Sequence, residues 1–249
     1  MKLFINITAL LLALSVGNPL AQAGEMTRQQ VEKLLAKADK DHPAQLRRKD
    51  LTDLDLSGLD FRNADLWGAD LRRSNLSHAN LANLNLDLTV MTGIKLVGAD
   101  LSNTSIFGVS LMRADASNAN FSGSRVIAVM EGANFSNANI SNADWAADMK
   151  NQSMGLMRAN LKGANLSGAD LSNSKLGRAM LKHAKLVNAN LRNADLYSAD
   201  MDGADMTNAD LSGANLSETK LHDVIYKNAK TTGTRFDGAK RKPAGFGPK

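Results

Sequence analysis

The sequence contains no cysteine and few aromatic side chains. With Cys at 0, a disulfide framework and a lipid-modified cysteine are both excluded, so packing alone must hold the fold together. Aromatic residues make up 4% of the chain, whereas hydrophobic residues make up 43%. The interior must therefore be built from Leu, Ala, Met and Ile rather than from large rings, which favours a narrow and regular core.

Long hydrophobic runs are also missing, apart from one at the N-terminus. Met1 and Lys2 precede an apolar run from Leu3 to Val16, and small residues follow at Ala21 and Ala23. This pattern predicts a signal peptide over residues 1–23, cleaved before Gly24, and hence a periplasmic or secreted protein. The alternative is an uncleaved membrane anchor, but the run is short of the about 20 residues of a span. No stable membrane span is expected after cleavage.

Charge of one sign does not dominate the chain. Lys and Arg number 30 and Asp and Glu 25, a formal net charge of +5 that falls to +4 without residues 1–23. The two signs are interspersed, so the excess is an ordinary solubility balance. We expect no nucleic-acid partner.

What the chain has in abundance is one short repeat. Units such as Ala64-Asp65-Leu66, Ala69-Asp70-Leu71 and Ala79-Asn80-Leu81 recur with a period of five residues. In a helix this period would spread the leucines around the cylinder, and in a strand it would send them to alternate faces. The chain must therefore turn at every unit and stack its coils as a solenoid.

These A-D/N-L-x-x units closely resemble the pentapeptide-repeat family, over residues 44–239. The resemblance implies an all-β solenoid, a right-handed quadrilateral parallel β-helix with four units per coil. The central Leu or Phe and the small residue two positions earlier would point inward. The period alone does not distinguish four sides from three.

The leucine register slips by one residue between Val126 and Met130 and returns between Trp145 and Leu156. We interpret residues 127–134 and 146–155 as a distorted corner or bulge, either a harmless irregularity or a functional loop.

Both ends of a solenoid need covers. Thr27 and Gln30 have the spacing of a capping box, and apolar residues at Val31 and Leu34 begin a helical pattern. This predicts a short capping α-helix over 28–40 within an N-terminal segment 24–43. Residues 240–249 form a basic Gly/Pro tail, expected to be a loose end rather than a grip on an anionic surface. The oligomeric state is left open.

The sequence offers no catalytic, cofactor or metal site. The four His residues, His42, His78, His183 and His222, have no metal-ligand spacing, and neither a Gly-x-Ser-x-Gly elbow nor a phosphate-binding glycine loop is present. The Asp and Asn of each unit are best explained as turn and ladder residues. We therefore expect no enzyme and no cofactor.

One side of the N-terminal half carries apolar residues at outward positions. Sorted by coil, these are Trp67, Leu88, Phe107 and Ile127. Apolar patches facing solvent often mark partner surfaces, so the four residues form a candidate partner-binding site. The alternative is that the N-terminal segment or the slipped loop of this same chain covers them.

The favoured function is a non-enzymatic protein-interaction or structural scaffold of the cell envelope, whose partner is another envelope protein. The resemblance suggests an alternative, since quinolone-resistance members of the family imitate duplex DNA and bind gyrase. That function requires the cytoplasm and usually an acidic face, which the export signal and basic balance disfavour. An enzyme acting on envelope glycans is a third possibility, with no catalytic pair to support it.

Overall fold

The computed structural model describes residues 26–149 and 157–247. One helix, α1 (Arg28–Leu35), precedes four strands: β1 (Ala44–Gln45), β2 (Ala64–Asp65), β3 (Ser105–Ser110) and β4 (Arg125–Val129). Strand β1 pairs with β2 and β3 with β4, both in parallel. All other pairing consists of isolated parallel bridges. The predicted signal peptide, residues 1–23, lies outside the described residues.

The bridges define a solenoid whose coils repeat every 20 residues. Asp50 pairs with Asp70, Asp70 with Val90, and Val90 with Ser110. Each contact is a backbone hydrogen bond along the stack, as in Leu71 N–H to the Val90 carbonyl at 2.8 Å. Twenty residues hold four five-residue units, so each coil has four sides, as the resemblance implies.

The core is a column of apolar side chains inside the coils. The central residue of almost every unit is buried, from Leu46 to Leu221, together with the Ala two positions earlier. Where that small residue is Ser or Thr, its hydroxyl donates to the carbonyl of the preceding central residue, except at Thr234, whose hydroxyl donates to the Leu211 carbonyl at 2.7 Å. Ser74 does so to Leu71 at 2.6 Å and Thr104 to Leu101 at 2.8 Å. Buried hydroxyls are thereby satisfied within the column.

The corners use the Asp and Asn side chains as the sequence predicts. Asn120 Oδ1 accepts the backbone N–H of Ser122 at 3.1 Å, and Asp100 Oδ1 accepts that of Ser102 at 3.0 Å. The last corner residue has a positive φ, which Asn and Gly adopt most readily, as at Asn118 (58°) and Gly98 (63°). The prediction that these polar residues serve turns and ladders is confirmed.

Two irregularities interrupt the stack, and they differ from the sequence interpretation. The coil that ends at Asn134 spans 19 residues from Asp115, because the corner at Ile127 has lost one residue and Gly108 opposite it is left unpaired. From Met130 onward the corners are regular, so the predicted bulge is confirmed at Ile127 and Ala128 but does not extend to residue 134. Only β4 departs from the pattern.

The second irregularity is an insertion. Asn134 and Asn165 are stacked neighbours 31 residues apart, so the sequence between them is eleven residues longer than a regular coil. The Asp148 N–H donates to the Met157 carbonyl at 2.9 Å and closes the base of this inserted loop. The coil itself resumes at Ala159. The interpretation of 146–155 as a distorted corner is thus corrected to an insertion of eleven residues in the sequence, of which residues 150–156 lie outside the described range.

Helix α1 covers the first coil. Thr27 and Gln30 form the capping box, with the Gln30 N–H donating to Thr27 Oγ1 at 3.3 Å and the Thr27 N–H to Gln30 Oε1 at 2.7 Å. The helix ends at Leu35, earlier than the expected residue 40. After Leu35 the hydrogen bonds tighten to three-residue spacing, from the Lys37 N–H to the Leu34 carbonyl at 3.2 Å and from the Ala38 N–H to the Leu35 carbonyl at 3.1 Å. The Asp39 carboxylate then accepts the N–H groups of Asp41 and His42, so the helix does not resume.

The C-terminal tail covers the last coil, so the expectation of a loose end is wrong. Phe246 is fully buried, stacked on Tyr226 at 4.6 Å and edge-on to Phe236 at 5.1 Å. The Tyr226 hydroxyl also donates to the Ala244 carbonyl at 2.7 Å.

Within residues 26–149 and 157–247, no helix has the length and apolar character needed to cross a bilayer.

Candidate interaction surface

The four candidate residues lie along one corner of the stack, as their spacing predicts. Phe107 pairs with Ile127 in the next coil, and the Leu88 N–H donates to the Phe107 carbonyl at 3.0 Å. Trp67 is placed one coil earlier by its neighbour Gly68, whose N–H donates to the backbone carbonyl of Asp87 at 3.1 Å. The corner therefore carries all four. Their exposure differs from residue to residue.

Trp67 does not offer a free ring. The guanidinium groups of Arg47 and Arg48, one coil earlier, lie 4.1 Å and 5.0 Å from its ring centroid. This cation–π stacking occupies the indole face. Asp87 separates Trp67 from Phe107 along the corner, since its carboxylate accepts both the Phe107 N–H at 2.9 Å and the Ser105 hydroxyl at 2.8 Å. Trp67 is consequently peripheral to the apolar surface.

Ile127 is buried, with only 2% of its surface exposed. The missing corner residue lets β4 run straight through the position where other coils turn outward, so Ile127 forms the floor of a cavity rather than part of an outer face. Its assignment as an outward contact residue is therefore corrected. Phe107 is half-buried beside it, and Leu88 is 49% exposed.

The exposed apolar surface continues from this corner onto the adjacent side of the rod. Val90 is 37% exposed, Val129 40% and Met112 37%. We call Leu88, Val90, Met112 and Val129 the apolar side. Val90 and Val129 share one column, because both pair with Ser110 between them. Sequence reasoning missed this column, although the signal was present, since both valines stand where most units have Asp or Asn.

A cavity of about 540 Å³ lies at the edge of the apolar side. Its walls are β3 and β4 on one side and the returning end of the inserted loop on the other. The lining residues used below are Val109, Ile127, Val129, Met157, Arg158 and Met180. The cavity is thus mostly apolar, with one cation, Arg158, at its rim.

The charges around the apolar side leave two cations without an acidic partner. Glu131 is paired with Lys162 at 3.2 Å, and Asp144 with Arg125 at 3.5 Å. Within the part of the chain that the structure describes, neither Arg113 nor Arg158 forms an ion pair. The rim of the apolar side is therefore basic.

Acidic residues of the N-terminal coils are committed to intramolecular contacts. A hydrogen bond from the Arg73 guanidinium holds the pKa of Asp53 below its usual value, and Arg62 does the same for the pKa of Asp60. The Asp53–Arg73 contact joins adjacent coils at 2.5 Å. No group of three or more His, Cys, Asp or Glu side chains among the described residues is arranged to hold a metal ion.

Comparison with known proteins gives one family. The model of pentapeptide repeats matches the chain in 8 copies, over residues 55–93, 94–126, 156–193, 174–213 and 189–225. A comparison with curated proteins gives no match.

Several solved structures are similar to the chain. HetL, a pentapeptide repeat protein involved in heterocyst differentiation regulation from the cyanobacterium Nostoc, is 27% identical, with 87% of this chain and 93% of HetL covered and a TM-score of 0.39. Full-length QnrB1, a plasmid-mediated fluoroquinolone resistance protein, is 18% identical, with 77% and 92% covered and a TM-score of 0.44. A pentapeptide repeat protein of the Arabidopsis thaliana thylakoid lumen is 26% identical, with 40% and 61% covered and a TM-score of 0.35.

Proposed function

Because the chain belongs to the pentapeptide-repeat family, whose members are generally non-enzymatic scaffolds or binding proteins, we propose that it is an exported interaction scaffold of the cell envelope. Members of the family fold as right-handed quadrilateral β-helices, and we assign that handedness to the four-sided coils of this chain. The partner is another envelope protein, which docks on the apolar side.

The observation that carries this proposal is that four of the seven exposed large hydrophobic residues of the described chain lie together on one side of the rod. Leu88, Val90, Met112 and Val129 lie within three successive coils and are each more than a third exposed. Beside them a cavity of about 540 Å³ offers a recess for an anchoring side chain. Interfaces draw most of their binding energy from a few apolar anchors seated in such recesses.

The basic rim specifies the chemistry of the partner. Arg113 and Arg158 flank the apolar side without acidic partners in the described chain, so a complementary surface presents apolar side chains bordered by Asp or Glu. Phe107 and Leu88 of the original candidate set belong to this contact. Ile127 contributes from below as the cavity floor, and Trp67 lies beyond the edge.

A scaffold also fits the way in which the carboxylates are used. Asp70 accepts the Arg72 N–H at 3.2 Å, and Asp100 accepts that of Ser102 at 3.0 Å, so both stabilise corners. An acid–base pair would need carboxylates that converge on a substrate. The repeat instead distributes them one per unit along the outside.

Two asparagine substitutions test the docking surface. Leu88→Asn installs the residue type that already occupies corners at Asn83 and Asn103, and Val129→Asn matches its bridge partner Asn160. Both changes are therefore compatible with the backbone. The double variant should fold normally and lose the envelope protein that the tagged wild type co-purifies from membranes and periplasm.

Ile225→Asn is the matched control, because Ile225 is an exposed aliphatic residue on a different side of the rod. It should retain the partner. Equal capture by the wild type and the Leu88/Val129 double variant would refute docking on the apolar side. Cell fractionation and the N-terminal mass test export: a periplasmic chain that begins at Gly24 is expected, whereas a cytoplasmic full-length chain that captures gyrase would replace the scaffold with the DNA-mimic function.

A further inference from the structure

A second cavity lies at the N-terminal end of the rod, between α1 and the first coil. It has a volume of about 480 Å³. Met26 and Leu34 form an apolar wall that packs against the core, and Lys33, Lys37 and Lys49 surround the opening. Small-molecule sites typically measure about 300–1,000 Å³ and combine an apolar lining with a few polar groups. The cavity has both features.

The three lysines have no acidic partner within the described residues. Neighbouring cations are paired: Arg28 contacts Glu32 at 2.7 Å, and Arg47 contacts Asp65 at 3.4 Å. None of the ion pairs of the described chain includes Lys33, Lys37 or Lys49. Three ammonium groups around one apolar recess repel each other, and an anion placed between them would relieve that repulsion.

Within residues 26–49 the acidic residues do not balance these charges. Residues 26–49 contain seven Lys and Arg against three Asp and Glu. Of the three acids, Glu32 is held by Arg28, and Asp39 accepts the backbone N–H groups of Asp41 and His42. The segment that lines the cavity is therefore locally basic, although residues 26–65 as a whole hold eight Lys and Arg against eight Asp and Glu.

The walls of the cavity are fixed in place. Val31 on α1 is fully buried, and the Arg28 guanidinium donates to the Asp55 carbonyl at 2.9 Å and to the Ser57 carbonyl at 3.2 Å. The capping box fixes the first turn of the helix. A recess between two anchored elements is preorganised for a ligand, which lowers the cost of binding.

We propose that this cavity binds one molecule of a single-chain anionic amphiphile, with the alkyl chain against Met26 and Leu34 and a phosphate or carboxylate headgroup among Lys33, Lys37 and Lys49. The apolar wall requires the alkyl chain, and the unpaired ammonium groups require the negative headgroup. This site lies apart from the apolar side and does not depend on the proposed scaffold function.

Dodecyl phosphate, kept below its aggregation concentration, is the probe, and isothermal titration calorimetry on the full exported chain is the measurement. One molecule should bind per chain. The triple variant Lys33→Gln, Lys37→Gln, Lys49→Gln should raise the Kd for dodecyl phosphate by about tenfold or more, since charge-assisted hydrogen bonds to the headgroup are lost.

The matched control is Lys185→Gln, Lys227→Gln, Lys230→Gln, which removes the same charge from exposed lysines elsewhere on the rod. It should bind like the wild type. Inorganic phosphate and the neutral detergent dodecyl maltoside should each bind far more weakly than dodecyl phosphate. Unchanged affinity in the first triple variant, an equal loss in the control, or equal affinity for either comparison ligand would each overturn the proposal.

Discussion

Truncation of Trp145 is the substitution that we expect to destabilise the middle of the rod most clearly. Its side chain is fully buried. The ring meets Phe121 edge-on at 5.7 Å and Phe135 at 5.5 Å, and the indole N–H donates to Ser124 Oγ at 3.1 Å. Trp145 also lies three residues before the inserted loop, so it anchors the coil from which that loop departs.

The magnitude follows from these contacts. Replacing a buried Trp or Phe by Ala costs about 3–5 kcal/mol, and edge-to-face ring contacts add about 0.5–1.5 kcal/mol to simple burial. We expect Trp145→Ala to fall in the upper part of the first range. Trp145→Phe keeps most of the burial and loses the hydrogen bond; because Ser124 Oγ still donates to the Phe121 carbonyl at 2.7 Å, the cost should be about 1–2 kcal/mol.

Guanidinium denaturation followed by far-UV circular dichroism measures the free energy of unfolding of both variants. Tyr197→Ala serves as the control, because Tyr197 is an exposed aromatic residue, and it should cost less than about 1 kcal/mol. A Trp145→Ala variant within about 1 kcal/mol of the wild type would refute the assignment of this ring to the core.

Three further predictions concern the ends and the repeat. Phe246→Ser removes the ring that stacks on Tyr226, so hydrogen exchange should accelerate in the last coil while the central coils stay protected. The Arg73 guanidinium lowers the pKa of Asp53, so the stabilising contribution of this carboxylate is complete above its unfolded pKa of about 3.9 and is lost as the pH falls through the lower folded value. An NMR titration should show that the pKa of Asp53 rises in the Arg73→Gln variant. An unchanged pKa would contradict the pairing. Leu181→Asp places a carboxylate in the column and should cost more than about 4 kcal/mol, so an unchanged melting temperature would contradict its inward position.

The inward positions and the corner chemistry could be predicted from the sequence because each depends on local spacing. A leucine every five residues with a small residue two positions earlier predicts that both face inward in a chain that turns at every unit, and Asn or Asp before a corner accepts the backbone N–H two residues later. These features recur in every regular coil. One unit is therefore enough to predict the rest.

Features that depend on a single coil could not be predicted in this way. Ile127 was assigned outward because every regular unit has two corner residues, whereas its corner has one. The spacing predicts that the regular register resumes at Leu156, because Leu156 stands five residues before Leu161, whereas the bridge from Val129 to Asn160 shows that the described coil resumes at Ala159. Leu156 itself lies outside the described residues.

Contacts between coils were readable from the sequence only in part. Arg47 stands 20 residues before Trp67, which places the two in stacked coils and could have indicated that the indole is covered. The valines at positions 90 and 129 were a similar signal. Phe246, by contrast, belongs to the C-terminal tail, whose Gly and Pro content gave no reason to expect a buried aromatic residue.

The most direct test of the scaffold function is photocrosslinking in living cells, with a photoreactive residue at position 88 and a control at position 118. Asn118 is exposed at the diagonally opposite corner of the rod. We predict that position 88 captures one envelope protein, that position 118 does not, and that Val129→Asn abolishes the capture. Equal capture at both positions, or capture that survives Val129→Asn, would contradict docking on the apolar side.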